Sequence, residues 1–130
     1  IQMNRFYSVG MVYILNGDYK KASIHIDAFV RMQHPKEFSR SAIYYNAACL
    51  SSVASDVVSN DGDLAGNDQK ALVDKYAGRA LEFLVEIRSL KYFDDPENIV
   101  HLRKDSDLAP IRERDDFKKF LQELEDGLEN

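Results

Sequence analysis

Gly10 and Ala22 are the residues that most limit what this chain can build. Around Gly10, the large side chains Phe6, Val9 and Tyr13 recur at spacings of three and four, the period of one helix face. Beyond Gly17 and Asp18, the residues Tyr19, Ala22 and Ile26 repeat that spacing. The row reads large, large, small, large, turn, turn, large, small, large. Two helices approach to about 8–10 Å only where bulk is missing between them, so Gly10 and Ala22 are expected at the crossing of a helix hairpin. Gly17 is expected to take the positive φ that ends the first helix, and Asp18 to cap the second through its carboxylate.

Helix formers dominate the rest and strand signals are weak, so the fold class expected is all-α. The periodicity places helices at about residues 2–15, 19–32, 37–55, 69–90 and 95–103, and a last one from residue 115 or 116. Residues 107–111 read as a turn or brief 3-10 segment. The third helix carries Phe38, Ala42, Tyr45, Ala48, Cys49 and Val53, with Cys49 in the small place that Gly10 holds in the first. The fourth supplies Tyr76 and Ala80 as partners. Between them, residues 56–68 (DVVSNDGDLAGND) are rich in Asp, Asn and Gly and read as an inserted loop. The chain thus divides into a first hairpin over 1–35, a second over 37–92 and a C-terminal cap over 95–127, all within one domain of 130 residues. It opens on Ile1 and is expected to be a piece of a longer protein.

Charge and cysteine usage remove several function classes. Net charge is −5 with pI ≈ 5.1, which argues against a nucleic-acid partner, since that binding draws on clustered Lys and Arg. The longest apolar run, from Val9 to Leu15, is far short of the roughly 20 residues of a membrane span. A single cysteine, Cys49, forms no internal disulfide, which fits a reducing, cytoplasmic setting.

The hairpin row resembles a tetratricopeptide repeat. Three further segments narrow the likeness: YYNAACLSSVAS from Tyr44, YAGRALEFLVEI from Tyr76, and HLRKDSDLAPIRERDDFKKFLQELE from His101. In that order they resemble the tetratricopeptide-like region found C-terminal to the kinase domain in planctomycete-type bacterial serine/threonine protein kinases, with Ile111 where that family usually has Leu. The resemblance implies antiparallel helix hairpins stacked as a short superhelix, about two repeats plus a cap. It also implies a concave groove on the first and third helices, lined by Asn4, Tyr7, Met11 and Ile14 and by Ile43, Asn46, Leu50 and Val53. The small positions Gly10, Ala22, Cys49 and Ala80 would hold the helices together.

No catalytic constellation is legible. The Gly-rich loop, strand lysine and Asp motifs of a kinase are absent, so any phosphoryl transfer belongs to a domain outside this chain. His25, His34 and His101 have no His or Cys at ligand spacing, and no metal or cofactor is expected. An EF-hand starting at Asp61 would put Ala65 and Leu72 where oxygen ligands are required. Asp94-Asp95 and Asp115-Asp116 precede helices, where caps and the helix dipole favour acids. Cys49 is expected to be buried against the fourth helix and inert.

The function expected is a non-catalytic protein–protein interaction module, regulatory or substrate-recruiting for a linked serine/threonine kinase, with a hydrophobic or amphipathic segment as partner. The alternative is a structural spacer or homodimerisation element whose groove is filled by its own chain or by a second copy. On the groove reading, Met11→Asp and Leu50→Asp should spare folding and abolish capture.

Overall fold

The computed structural model describes residues 3–34 and 39–129. Among the described residues seven α-helices follow one another: α1 (Met3–Leu15), α2 (Tyr19–Arg31), α3 (Arg40–Ser59), α4 (Gly66–Ser89), α5 (Pro96–Lys104), α6 (Ala109–Arg112) and α7 (Asp115–Glu129). Single 3-10 turns, Tyr92–Asp94 and Ser106–Leu108, precede α5 and α6, and no strand occurs among the described residues. The fold is all-α.

Local chemistry sets the helix ends. Gly17 has φ +77°, its N–H donates to the Ile14 carbonyl and the Asp18 N–H donates to the Tyr13 carbonyl. That is the paired bonding of a Schellman stop. Asp18 holds the N-cap place of α2, but its side chain makes no capping hydrogen bond; the helix starts on the backbone bond from the Ala22 N–H to the Asp18 carbonyl. Asp95 caps α5 as expected, accepting from the Glu97 N–H at 3.0 Å with Pro96 in the first turn.

The third helix begins later than its sequence suggests, at Arg40, where the Ser39 hydroxyl accepts from the Ala42 N–H. The expected start at Glu37, together with Pro35 and Phe38, lies outside the described residues. Helix α3 also outlasts its expected end, and α4 begins early, so the connection shrinks from 56–68 to 60–65. The Asp-rich composition was a misleading guide because Val58 is fully buried, which draws the helix on through Asp56 and Val57. At the other side Asp68 falls in the first turn of α4, where an anion is favoured.

The core runs along α3. Helix α1 packs against both α2 and α3, α3 forms a long hairpin with α4, and the turn Ser106–Leu108 with α6 lies against α3. Leu102, Leu108, Ile111 and Phe117 seat the C-terminal segment and are all fully buried. Gly10, Ala22, Cys49 and Ala80 are buried too. A Cβ built on Gly10 would collide with the side chain of Leu50 and lie 3.3 Å from the His25 ring. The bare backbone at position 10 therefore admits α3 as well as α2, and the closer approach is the one to α3.

Candidate functional site

The face shared by α1 and α3 was expected to form an open groove, and the structure divides it. Ile14 and Leu50 are 0% exposed and Ile43 is buried, so these three belong to the core and not to a binding row. The reason is Gly10: without a side chain there, Leu50 fills the space over α1 and shuts the row from below. Asn4 is exposed, and Tyr7, Met11, Asn46 and Val53 are half-buried. The Asn46 amide is partly occupied, donating to the Ala42 carbonyl at 2.8 Å. Aspartate at Leu50 would therefore bury a charge, and the expectation that such a change spares folding is withdrawn.

At the Tyr7 end the row meets the C-terminal segment. The Tyr45 hydroxyl donates to Asp105 Oδ2 at 2.8 Å, and the Cys49 thiol donates weakly to the same oxygen at 3.7 Å. The other oxygen, Oδ1, accepts from the Asp107 N–H at 3.0 Å and so caps the 3-10 turn. His101 Nε2 stands 3.3 Å from Asp105 Oδ2, and the Tyr7 phenol lies beside Asp107. The Arg112 guanidinium donates to the Asp105 carbonyl at 2.6 Å, tying α6 to the same point. Cys49 is buried as expected, and its thiol turns toward Asp105 at the end of α5. Tyr45 and Cys49 are four residues apart, which puts both donors on one face of α3.

This cluster holds protons firmly. Burial first, and then the nearby Asp105 and Asp107 carboxylates, push the Cys49 thiol well above the usual range. Burial, Cys49 and Asp105 do the same for the Tyr45 phenol, and burial and Asp107 for Tyr7. A thiolate nucleophile needs the opposite surroundings. Among the described residues, Cys49, Asp105 and Asp107 are the group whose ligand atoms lie within 4.8 Å of one another, the reach of a metal ion. The hydrogen bonds already made by Asp105, and the protonated thiol, give the cluster the character of a latch. Its signal in the sequence was the pairing of Tyr45 and Cys49 at helical spacing with Asp105-x-Asp107 before a buried leucine. Periodicity does not show that the two meet.

The remaining histidines act as struts. His25 is half-buried against the Phe6 ring, centroids 5.1 Å apart, and bonds the Phe6 carbonyl at 2.9 Å. His34 bonds the Phe29 carbonyl at 2.8 Å. Asp116 accepts from the Phe117 N–H and faces Arg114, which also reaches Asp74.

At the opposite end α1 and α3 stay apart. Leu15, 65% exposed, and the half-buried Val57 and Leu64 flank an open cleft of about 640 Å³, rimmed by Asp56, Asp61 and Asp63. Its walls are fixed. The Tyr19 hydroxyl donates to Asp61 Oδ2 at 2.7 Å, and Asp61 Oδ1 accepts from the Asp63 N–H at 3.0 Å. Gln69 Nε2 reaches the carbonyls of Val58, Ser59 and Asp61 at 2.9–3.1 Å. Burial and the Asp61 bond raise the Tyr19 phenol to about 12, while the Tyr19 bond holds the Asp61 carboxyl below its usual range. Tyr76, buried between α2 and α4, donates to the Tyr19 carbonyl at 2.7 Å and anchors the same corner.

No described helix is long and apolar enough to cross a membrane. Comparison with protein-family models, with curated protein sequences and with solved structures gives no match.

Proposed function

We propose that the chain is a non-catalytic helical scaffold of the tetratricopeptide kind, presenting the α1–α3 face to a protein partner and serving a linked serine/threonine kinase in a regulatory or recruiting role. The observation that carries the reading is the packing order. Helix α1 lies on α2 and α3, α3 lies on α4, and the C-terminal turn with α6 lies on α3 again. Scaffolds made of stacked hairpins distribute their contacts between adjoining helices in this way, and the half-buried Tyr7, Met11, Asn46 and Val53 are what the α1–α3 face leaves for a ligand. The groups best suited to chemistry, Cys49, Tyr45 and Asp105, are engaged with one another inside that stack. The kinase link rests on the three sequence segments alone, two of which meet physically at Tyr45, Cys49 and Asp105.

A second reading has its own support. The Asp105–Asp107 turn occupies the Tyr7 end of the face, so part of the row is filled by the chain itself, as in a spacer. Val12 at 56% and Ile24 at 59% exposure add apolar surface on the first hairpin that a second copy would cover.

The test combines light scattering over a range of concentrations with capture of partners by the purified chain, repeated with Met11→Ser and Val53→Asp. Capture lost in the variants, with melting unchanged and a monomer throughout, supports the scaffold. A stable dimer in which Val12 and Ile24 are protected supports the spacer. A monomer that captures nothing overturns both.

A further inference from the structure

The cleft at the α1–α2 turn is more specific in its chemistry than the row it terminates. Its apolar side chains are Leu15, Val57 and Leu64, and its charged ones are Asp56, Asp61 and Asp63; no Lys or Arg lines it. The stretch 56–68 carries four Asp and no base. Among the described residues no ion pair neutralises Asp56, Asp61 or Asp63. A half-exposed leucine surrounded by carboxylates is poorly served by water and well served by one kind of partner: an apolar side chain entering between Leu15 and Val57, with cationic side chains beside it for the rim. The cleft is also ready-made, because the Gly17 stop, the Tyr19–Asp61 bond and the three-carbonyl grip of Gln69 fix both walls before anything binds. Rigid walls lower the ordering cost of association.

We propose that this cleft is the specificity pocket of the scaffold, and that it takes a segment of a protein partner bearing a leucine-like side chain flanked by Lys or Arg. The assignment rests on the scaffold reading above and adds the chemistry of the partner and the place where it seats. The orientation follows from the fold. With the Tyr7 end closed by the Asp105 turn, a segment lying along Met11 and Val53 has its free exit past Leu15 and Val57, over the acidic rim.

The test uses the full chain, isotope-labelled, titrated with three synthetic peptides of equal length. One carries a central Leu between Lys/Arg pairs, one replaces the bases by Gln, and one replaces the Leu by Ser. The first peptide is expected to shift the backbone signals of Leu15, Gly17, Val57 and Leu64, with an affinity that falls as salt is raised. Each of the other two is expected to bind at least about tenfold more weakly, the scale of one lost charge-assisted or apolar anchor. Asp56→Asn with Asp63→Asn is expected to erase the preference for the basic peptide, with unchanged melting because an asparagine amide oxygen can still accept the 3.5 Å contact that Asn60 Nδ2 makes to Asp56 Oδ1. Equal binding of the Gln peptide overturns the proposal. Shifts centred on Met11 and Val53 overturn it too, while leaving the scaffold reading intact. No shift with any peptide, from a chain that still captures a partner through Val53, again removes the pocket and spares the scaffold.

Discussion

At one end of the α1–α3 face the Asp105 carboxylate is claimed by Tyr45, by Cys49 and by the Asp107 N–H; at the other, Asp56 and Asp63 stand in the rim of an open cleft. Asp105 and Asp107 at one end, and Asp61 and Asp63 at the other, sit in a short turn after a helix, while Asp56 lies in the last turn of α3. What separates them is the surroundings. The Asp105 turn is pressed onto α3 by Leu102, Leu108 and Ile111, all fully buried, so the Asp105 carboxylate finds its partners within the protein. The 60–65 turn is pinned through backbone carbonyls and Tyr19, which leaves the Asp63 carboxylate to solvent and Asp56, at the end of α3, with a long contact from Asn60 Nδ2 at 3.5 Å. The same residue type thus fastens one end and exposes charge at the other.

The contrast can be broken most severely from the middle. Leu50→Asp places an unpaired charge under Gly10 and is expected to cost about 4 kcal/mol or more, so that the chain no longer melts cooperatively, whereas Val53→Asp, one turn on and half-exposed, should leave the melt nearly intact. Calorimetry on the pair checks this. Asp105→Ala removes the cap of the Ser106–Leu108 turn and the acceptor of the Tyr45 hydroxyl together, and about 3 kcal/mol is expected from a charged hydrogen bond plus a cap. Urea unfolding measures it, and a loss below about 1 kcal/mol would mean that the fastened end is not held by this carboxylate.

A third experiment reads the same end through pH. The Cys49, Tyr45 and Tyr7 groups hold their protons more tightly folded than unfolded, so in the alkaline window the native state binds more protons than the unfolded chain. Their stabilisation is complete below the ordinary values of 9.0 for the thiol and 10.0 for the phenols and is lost as pH rises above them. Urea midpoints are expected to fall steeply there, and less steeply in Tyr45→Phe. The smallest effect belongs to the open end: Asp63→Asn should move stability by no more than about 0.5 kcal/mol. A larger change would show that its carboxylate is structural and that the two ends differ less than their geometry indicates.

Much of this was legible from residue types at helical spacing. The stop at Gly17 and the cap at Asp95 follow from local rules, and the structure bears them out; Ala22 and Ala80 are buried, and the crowding at Gly10, expected against α2, is tightest against Leu50 of α3. The interior edge of the groove did not follow. Leu50 and Ile14 sit on the row that would face a ligand if α1 and α3 stood at an ordinary distance, and a sequence does not state that distance. The Asp105 fastening was hidden for a different reason: Tyr45 and Asp105 are 60 residues apart, and periodicity describes one helix at a time. Composition misjudged the 56–68 stretch because acids and asparagines at helix ends look the same as those in loops; one buried valine, Val58, decided the matter.

That long separation along the chain has a bearing on synthesis. A ribosome delivers Tyr45 and Cys49 well before residues 101–112 leave the exit tunnel. Until they do, the flank of α3 that these residues will cover stays bare, with Tyr45 and Cys49 facing water. The final docking step is then timed by translation, and a pause between residues 60 and 105 would prolong the interval in which a chaperone can reach that flank.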